Sequence, residues 1–286
     1  MKSVFGKSLN RLLVAAGVAT LIGGVFAPVD EAAAQITNSK HDLSSGSTGG
    51  LSFSGTGEIC VFCHTPHGAA LGGAPLWNKA LPTAAYQVYS SGISSTIDGQ
   101  LATDGITGSV SVGSVSIGCL SCHDGTLALN SVINAPGSGL TNGTYTGGTW
   151  TGTVGVGNVM APGIANLSTD LRNDHPIGNQ YCGGGYLTSG TGGSTVGAGD
   201  CLDTDFKAPQ SALFGGTRAF WVETSGTPGV RNKTDLPLFN RSFAAGTGPS
   251  VECATCHDPH RSGAGVVTFL RISNTGSALC LSCHTK

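Results

Sequence analysis

Apolar and polar positions alternate only in short, weak stretches along this chain. The longest apolar run, Leu12 to Phe26, follows Lys2, Lys7 and Arg11 and precedes Ala32-Ala33-Ala34. That order predicts a cleaved secretory signal over residues 1–34, with an apolar core too short for a comfortable membrane span. Gln35 to Gly57 reads as a polar, flexible arm, and Ala74-Pro75-Leu76-Trp77 supplies a bulky apolar anchor. Ala84 to Ser90 reads as a short helix or strand. Ser109 to Ile117 alternates Val or Ile with Ser or Gly, a weak strand pattern. Leu127 to Ile133 predicts a helical turn, and Thr144 to Val159 one or two strands with glycine turns.

Composition explains why the patterns are weak. The chain has 46 glycines, 10% charged and 6% aromatic residues, too little bulk for a conventional core. After loss of the signal about 250 residues remain, enough for one large domain or two small ones. The formal net charge of −2 and the lack of a basic run argue against a nucleic-acid partner. No cysteine lies near the cleavage site, so neither a lipid nor a membrane anchor is expected.

The cysteines change the picture. Cys60-Val-Phe-Cys63-His64, Cys119-Leu-Ser-Cys122-His123, Cys253-Ala-Thr-Cys256-His257 and Cys280-Leu-Ser-Cys283-His284 repeat one pattern, CXXCH. This is the attachment signature of c-type haem: each thiol adds to one porphyrin vinyl group and the adjacent imidazole ligates the iron. Paired zinc sites are the rival reading, but zinc gives no reason for a histidine directly after every second cysteine. Four covalently bound haem c groups are therefore expected, each wrapped as a large flat apolar body. The fold class expected is a multihaem cytochrome c, mostly irregular coil with a few short helices and strands around a stack of four haems. Trp77, Tyr86 and Tyr89 read as porphyrin packing rather than redox-active groups. Cys182 and Cys201, outside the motifs, read as a disulfide of an exported protein, with catalytic thiols the alternative.

There is an internal repeat. Cys60 to His67 and Cys253 to His260 both read CXXCH-X-Pro-His, and the second member of each pair is Cys-Leu-Ser-Cys-His. Residues 35–286 are thus read as one tetrahaem domain of two dihaem units, about 58–125 and 251–286, separated by a Gly/Thr-rich insertion at 126–250.

Histidine counting sharpens the reading. Of 8 histidines, His64, His123, His257 and His284 are proximal ligands, leaving His41, His67, His175 and His260 as distal ones. Met160 is the one methionine after the signal, so His/Met ligation applies to at most one site. Bis-His iron sits at lower potential than His/Met iron, which points to a low-potential carrier. His67 follows His64 too closely to reach the opposite face of the same haem. The expected pairs are His67 with His123, His260 with His284, His175 with His257, and His41 with His64 or with a neighbouring subunit's haem.

The motifs CVFCHTPH, APLW, CLSCHDG, DHPIG and CATCHDPH, with a closing CLSCH, resemble multihaem cytochromes of dissimilatory metal-reducing bacteria. The likeness is greatest to outer-surface tetrahaem cytochromes of the OmcE type, which polymerise into extracellular filaments. The resemblance implies bis-His ligation throughout, haems running continuously along a homopolymer, and one histidine ligating a haem of the adjacent subunit. His41, in the N-terminal arm, is the candidate for that histidine. Other redox cytochromes and extracellular electron acceptors would be the remaining partners, and the location would be secreted or cell-surface. The alternatives are a monomeric periplasmic electron shuttle and a multihaem reductase subunit. Catalysis at iron needs an open position, and the histidine count leaves none unless His41 stays unbound.

Overall fold

The computed structural model describes residues 36–89, 101–102, 111–137, 139–140, 144–184, 201, 203–224, 226–243, 246–261 and 269–285. The expected signal over 1–34, and the ends of two weak patterns at Ser90 and at 109–110, lie outside them. Most of the described chain is coil with short elements. In order they are β1 (Ser52–Phe53), α1 (Ser114–His123), β2 (Asn134–Ala135), β3 (Gly139–Leu140), β4 (Trp150–Thr151), β5 (Gln210–Phe214), β6 (Thr217–Val222), β7 (Leu236–Phe243), β8 (Gly246–Ser250), α2 (Cys253–Cys256) and α3 (Ala278–Cys283). Among the described residues no helix is long and apolar enough to cross a membrane.

Two aromatic and apolar clusters hold the coil together. In the N-terminal one, β1 pairs antiparallel with β4, setting Phe53 opposite Trp150. Phe53 packs against Trp150, Tyr145 and Phe62 with ring centroids 5.0, 5.5 and 6.0 Å apart. Phe62 lies between Cys60 and Cys63, so this cluster fixes the first CXXCH motif directly.

The larger cluster sits under an antiparallel meander, β5-β6-β7-β8. Phe220 is opposite Leu238 and Val222 opposite Leu236. Alternate residues of a strand share a face, so these four side chains form one apolar surface. It covers Tyr181 and the Cys182–Cys201 disulfide, with Phe206, Leu279 and Cys283 packed at its margin. Burying a side chain of this size contributes about 1.5–3 kcal/mol. The sheet is thus a platform beneath the fourth motif.

Three local expectations differ from this structure. The alternating stretch ending at Ile117 is not a strand: from Ser114 it is α1. Buried Gly113, Ser116, Leu120 and Asp124 recur every three or four residues, the spacing of a helix face. Residues 84–89 form neither helix nor strand, Gln87 making a single bridge to Asp170. Leu127 to Ile133 holds one tight turn, closed by Ser131 N–H on the Ala128 carbonyl at 2.9 Å, and no helix. Thr144 to Val159 carries one strand, β4, within the expected one or two. The meander at 210–250 was not anticipated at all.

Candidate haem centre

The CXXCH spacing has a helical reason. His64, His257 and His284 donate their backbone N–H groups to the carbonyls of Cys60, Cys253 and Cys280 at 2.8, 3.0 and 2.9 Å. The second motif lies within α1. Residues i, i+3 and i+4 of such a turn share one face, so each motif presents two thiols and one imidazole together. All eight of these cysteines are free thiols, at least partly exposed.

The imidazoles are held in a ligating tautomer. His64 Nδ1 donates to the Pro75 carbonyl at 3.0 Å, His123 Nδ1 to Ala165 at 2.7 Å, and His175 Nδ1 to Pro176 at 3.0 Å. A carbonyl can only accept, so Nδ1 carries the proton and Nε2 keeps the lone pair that binds a metal. Leu76, at φ +56°, turns the chain so that Pro75 reaches His64, while Trp77 packs edge-on to that imidazole at 6.0 Å. Trp77 Nε1 also donates to Ser121 Oγ at 3.2 Å, tying the first motif to the second. Burial keeps His64, His123 and His175 below the ordinary histidine pKa. His41 is lowered to about 4, by burial first and then by the neighbouring His123. Its Nδ1 is buried without a hydrogen-bond partner.

Two histidine pairs are spaced for one metal atom. The rings of His64 and His260 are 5.9 Å apart and nearly parallel, at 13°; those of His41 and His123 are 6.1 Å apart. A ring nitrogen lies about 1 Å from its centroid, and metal–imidazole bonds run about 2.0–2.1 Å, so each gap suits a metal bound on both sides. His175 lies within electrostatic range of His284. These proximities are not those of the expected pairs, in which His260 serves His284, His67 serves His123, His175 serves His257, and His41 serves His64 or a neighbouring subunit's haem. The cause is tertiary. Packing of α2 on α1 turns the segment after His257 towards the first motif. Phe269, whose carbonyl accepts from Asp258 N–H just after the third motif, stacks on His41 at 4.2 Å. His257 lies within electrostatic range of both His41 and His123. His67 is exposed, and its carbonyl is anchored by Thr65 Oγ1 and Asn134 Nδ2 at 2.9 and 2.8 Å.

The thiols link the motifs in chain order. Cys63 is pushed up to about 12, by burial and then by Cys122. Cys119 donates to the Cys253 sulfur, which raises the first thiol and lowers the second. Burial and then Cys283 push Cys256 up to about 12. First neighbours second, second neighbours third, third neighbours fourth.

A buried polar network holds the middle junction. Arg241 Nη1 pairs with Glu252 Oε1 at 2.6 Å, and Ser116 Oγ of α1 donates to Glu252 Oε2 at 2.6 Å. Arg241 Nη2 also donates to the Ser111 carbonyl at 2.8 Å. Glu252 is the N-cap of α2 and forms a capping box with Thr255. Gly113 is obligatory here, because a Cβ would lie 2.4 Å from Glu252 Oε1. At the fourth motif, Phe206 packs on His284 with centroids 4.7 Å apart, three residues beyond Asp203, whose N–H bonds the Cys182 carbonyl. Tyr86 donates to Asp124 Oδ2 at 2.6 Å, and burial together with that carboxylate raises its pKa. Sequence reasoning singled out neither Arg241 and Glu252 nor Phe206 and Phe269.

The arrangement fits covalent haem: paired thiols beside a lone-pair imidazole, a second imidazole across from it, and an unpartnered buried His41 nitrogen. A cavity of about 460 Å³ beside the first motif, lined by Ile59, Cys60, Val61, His64, Pro66 and Pro136 among others, is of small-cofactor size. Among the described residues no group of three or more His, Cys, Asp or Glu side chains converges on a metal-ion site, as structural zinc would require.

A protein-family profile described as a doubled CXXCH motif matches residues 247–286, which span the third and fourth motifs. No curated protein matches the chain. The doubled motif is a feature of multihaem c-type cytochromes and indicates covalently bound haem c and a role in electron transfer.

Proposed function

We propose that the chain is an exported tetrahaem cytochrome that passes electrons through four closely spaced haems, as a repeating subunit of an extracellular conducting filament. The observation that carries this reading is that each CXXCH motif is held beside the next: Trp77 Nε1 on Ser121 Oγ at 3.2 Å ties the first to the second, Ser116 Oγ on Glu252 Oε2 at 2.6 Å ties the second to the third, and the Cys256 and Cys283 thiols neighbour each other at the third and fourth.

Each cysteine pair would hold one haem, and the following histidine would be its proximal ligand. His260, His41 and His175 would serve as distal ligands opposite His64, His123 and His284. Bound haem supplies a one-electron iron couple; the chain supplies positions, ligands and potential. The carbonyls of Pro75, Ala165 and Pro176 orient the imidazoles and fix their tautomers. Glu252 and Arg241 hold the second and third motifs against each other.

Subunit contact would use His67. His41 is engaged inside its own chain, between Phe269 and His123, and so is not the candidate for reaching a neighbour. His67 is an exposed imidazole on an anchored backbone. It is the distal histidine offered to a haem of the adjacent subunit, for which the third motif is the candidate.

Size-exclusion chromatography and electron microscopy of the native secreted protein test the reading. Filaments that shorten or vanish in His67→Ala, with four haems retained per chain, support it. Monomers at every concentration would leave a monomeric electron shuttle instead.

A further inference from the structure

Lys79 is fully buried, and its ammonium donates to the carbonyls of Ala128, Leu129 and Ser131 at 2.9, 3.1 and 3.1 Å. Three carbonyl acceptors take three N–H donors, the number a charged ammonium carries. All three partners are neutral. Two other cations near the motifs face a carboxylate: Arg241 pairs with Glu252 at 2.6 Å, and Arg271 with Asp258 at 3.4 Å. A charge without a counter-ion in the interior acts at longer range than one cancelled by its neighbour.

The site of this charge is specific. Asn78, the preceding residue, donates its N–H to the Cys63 carbonyl at 2.9 Å and its side-chain amide to Val61 at 2.6 Å. The carbonyls that receive Lys79 follow the second motif by a few residues. Lys79 therefore bridges the first and second motifs. At the third motif, by contrast, Arg271 donates to the Ala254 carbonyl at 2.9 Å while Asp258 sits beside it.

We propose that Lys79 tunes potential: its uncompensated charge favours reduction of the iron carried by the first CXXCH motif over the irons of the third and fourth. The inference rests on the multihaem reading above. One-electron reduction lowers the charge of an iron site by one, with no bond made or broken and no proton transferred, so a fixed positive charge nearby favours the reduced form. The bias makes the iron of the first motif the preferred site of an electron within each subunit. Lys79 touches no iron; it is a positioning and tuning residue.

The test uses the holo protein, with haem counted first by the pyridine haemochromogen spectrum. Fewer than four haems in the wild type would break the multihaem reading rather than this one. With four present, stepwise reduction by dithionite is followed by spectropotentiometry and by exchange NMR, which ranks the irons in order of reduction without any substitution. The first-motif iron should be reduced before those of the third and fourth motifs. In Lys79→Gln, which keeps two of the N–H donors, the highest-potential component should shift to more negative potential, and Lys79→Arg should restore it. A first-motif iron reduced after the third or fourth overturns the proposal, as does a Lys79→Gln titration superimposable on wild type. If Lys79→Gln does not assemble, the wild-type ranking decides alone.

Discussion

His64 and His260 face each other across 5.9 Å with their rings 13° from parallel, although they are 196 residues apart in the chain. The pair brings the two repeats of CXXCH-X-Pro-His together crosswise, setting a histidine of the C-terminal one beside the N-terminal motif. His260 Nδ1 lies 3.5 Å from Asp258 Oδ1, a carboxylate placed to orient it. In His260→Ala, one iron in four should turn high-spin in the EPR spectrum of the oxidised protein, and that iron should be the one attached at Cys60 and Cys63. High-spin iron at Cys280 and Cys283 instead would restore the within-unit pairing.

The Arg241–Glu252 pair is a stability determinant of the junction between the second and third motifs. Its side chains are 11% and 1% exposed, and Ser116 and Ser111 complete the network. Glu252→Ala leaves a buried guanidinium without its partner, which costs about 3–5 kcal/mol. Denaturant unfolding should show a loss of that size, and a much smaller one for a surface change such as Asp170→Ala. Equal losses would remove the junction from its special place.

The disulfide acts on the fourth motif. Cys182 and Cys201 close a loop across a separation of 19 residues, and the chain just beyond, through Phe206, lies on His284. Removal of both cysteines as Ala should lower stability by roughly 2–4 kcal/mol. Proteolysis should then release the segment carrying Cys280 and Cys283 earlier than the first motif. Uniform sensitivity along the chain would refute this local role.

Acid should loosen the β6–β7 turn. Burial alone would raise the Asp235 carboxyl, but the N–H groups of Asn232 and Thr224 and the Thr224 hydroxyl outweigh it and hold the group below its ordinary value of 3.8. A depressed carboxyl contributes stability above its unfolded pKa and loses it as pH falls through the folded one. Stability should therefore drop below pH 3.8, and Asp235→Asn should flatten that part of the curve. An unchanged acid limb in the variant would show that other carboxylates carry it.

The chemistry of this chain is written locally and its architecture is not. Cysteine and histidine at i, i+3 and i+4 specify a helical turn with one reactive face, so the motifs were legible from spacing. Which distal histidine meets which proximal one depends on contacts such as α2 on α1 and Phe269 on His41, which repeat symmetry does not encode. Ser109 to Ile117 misled because alternation over a few residues resembles a strand, while small Ser116 and Gly118 suit a helix packed closely against its neighbours. The meander left only a faint trace, Phe220-Trp221-Val222 and the alternating Leu236 and Leu238. Lys79, lone and unremarkable in sequence, becomes conspicuous only when three carbonyls surround it.

A density map of the native holo protein tests the central claim most directly. It should show four haems in the order of their motifs, first beside second, second beside third and third beside fourth, in one continuous line. Two isolated dihaem clusters, or the first motif's haem lying next to the fourth's within one chain, would contradict it.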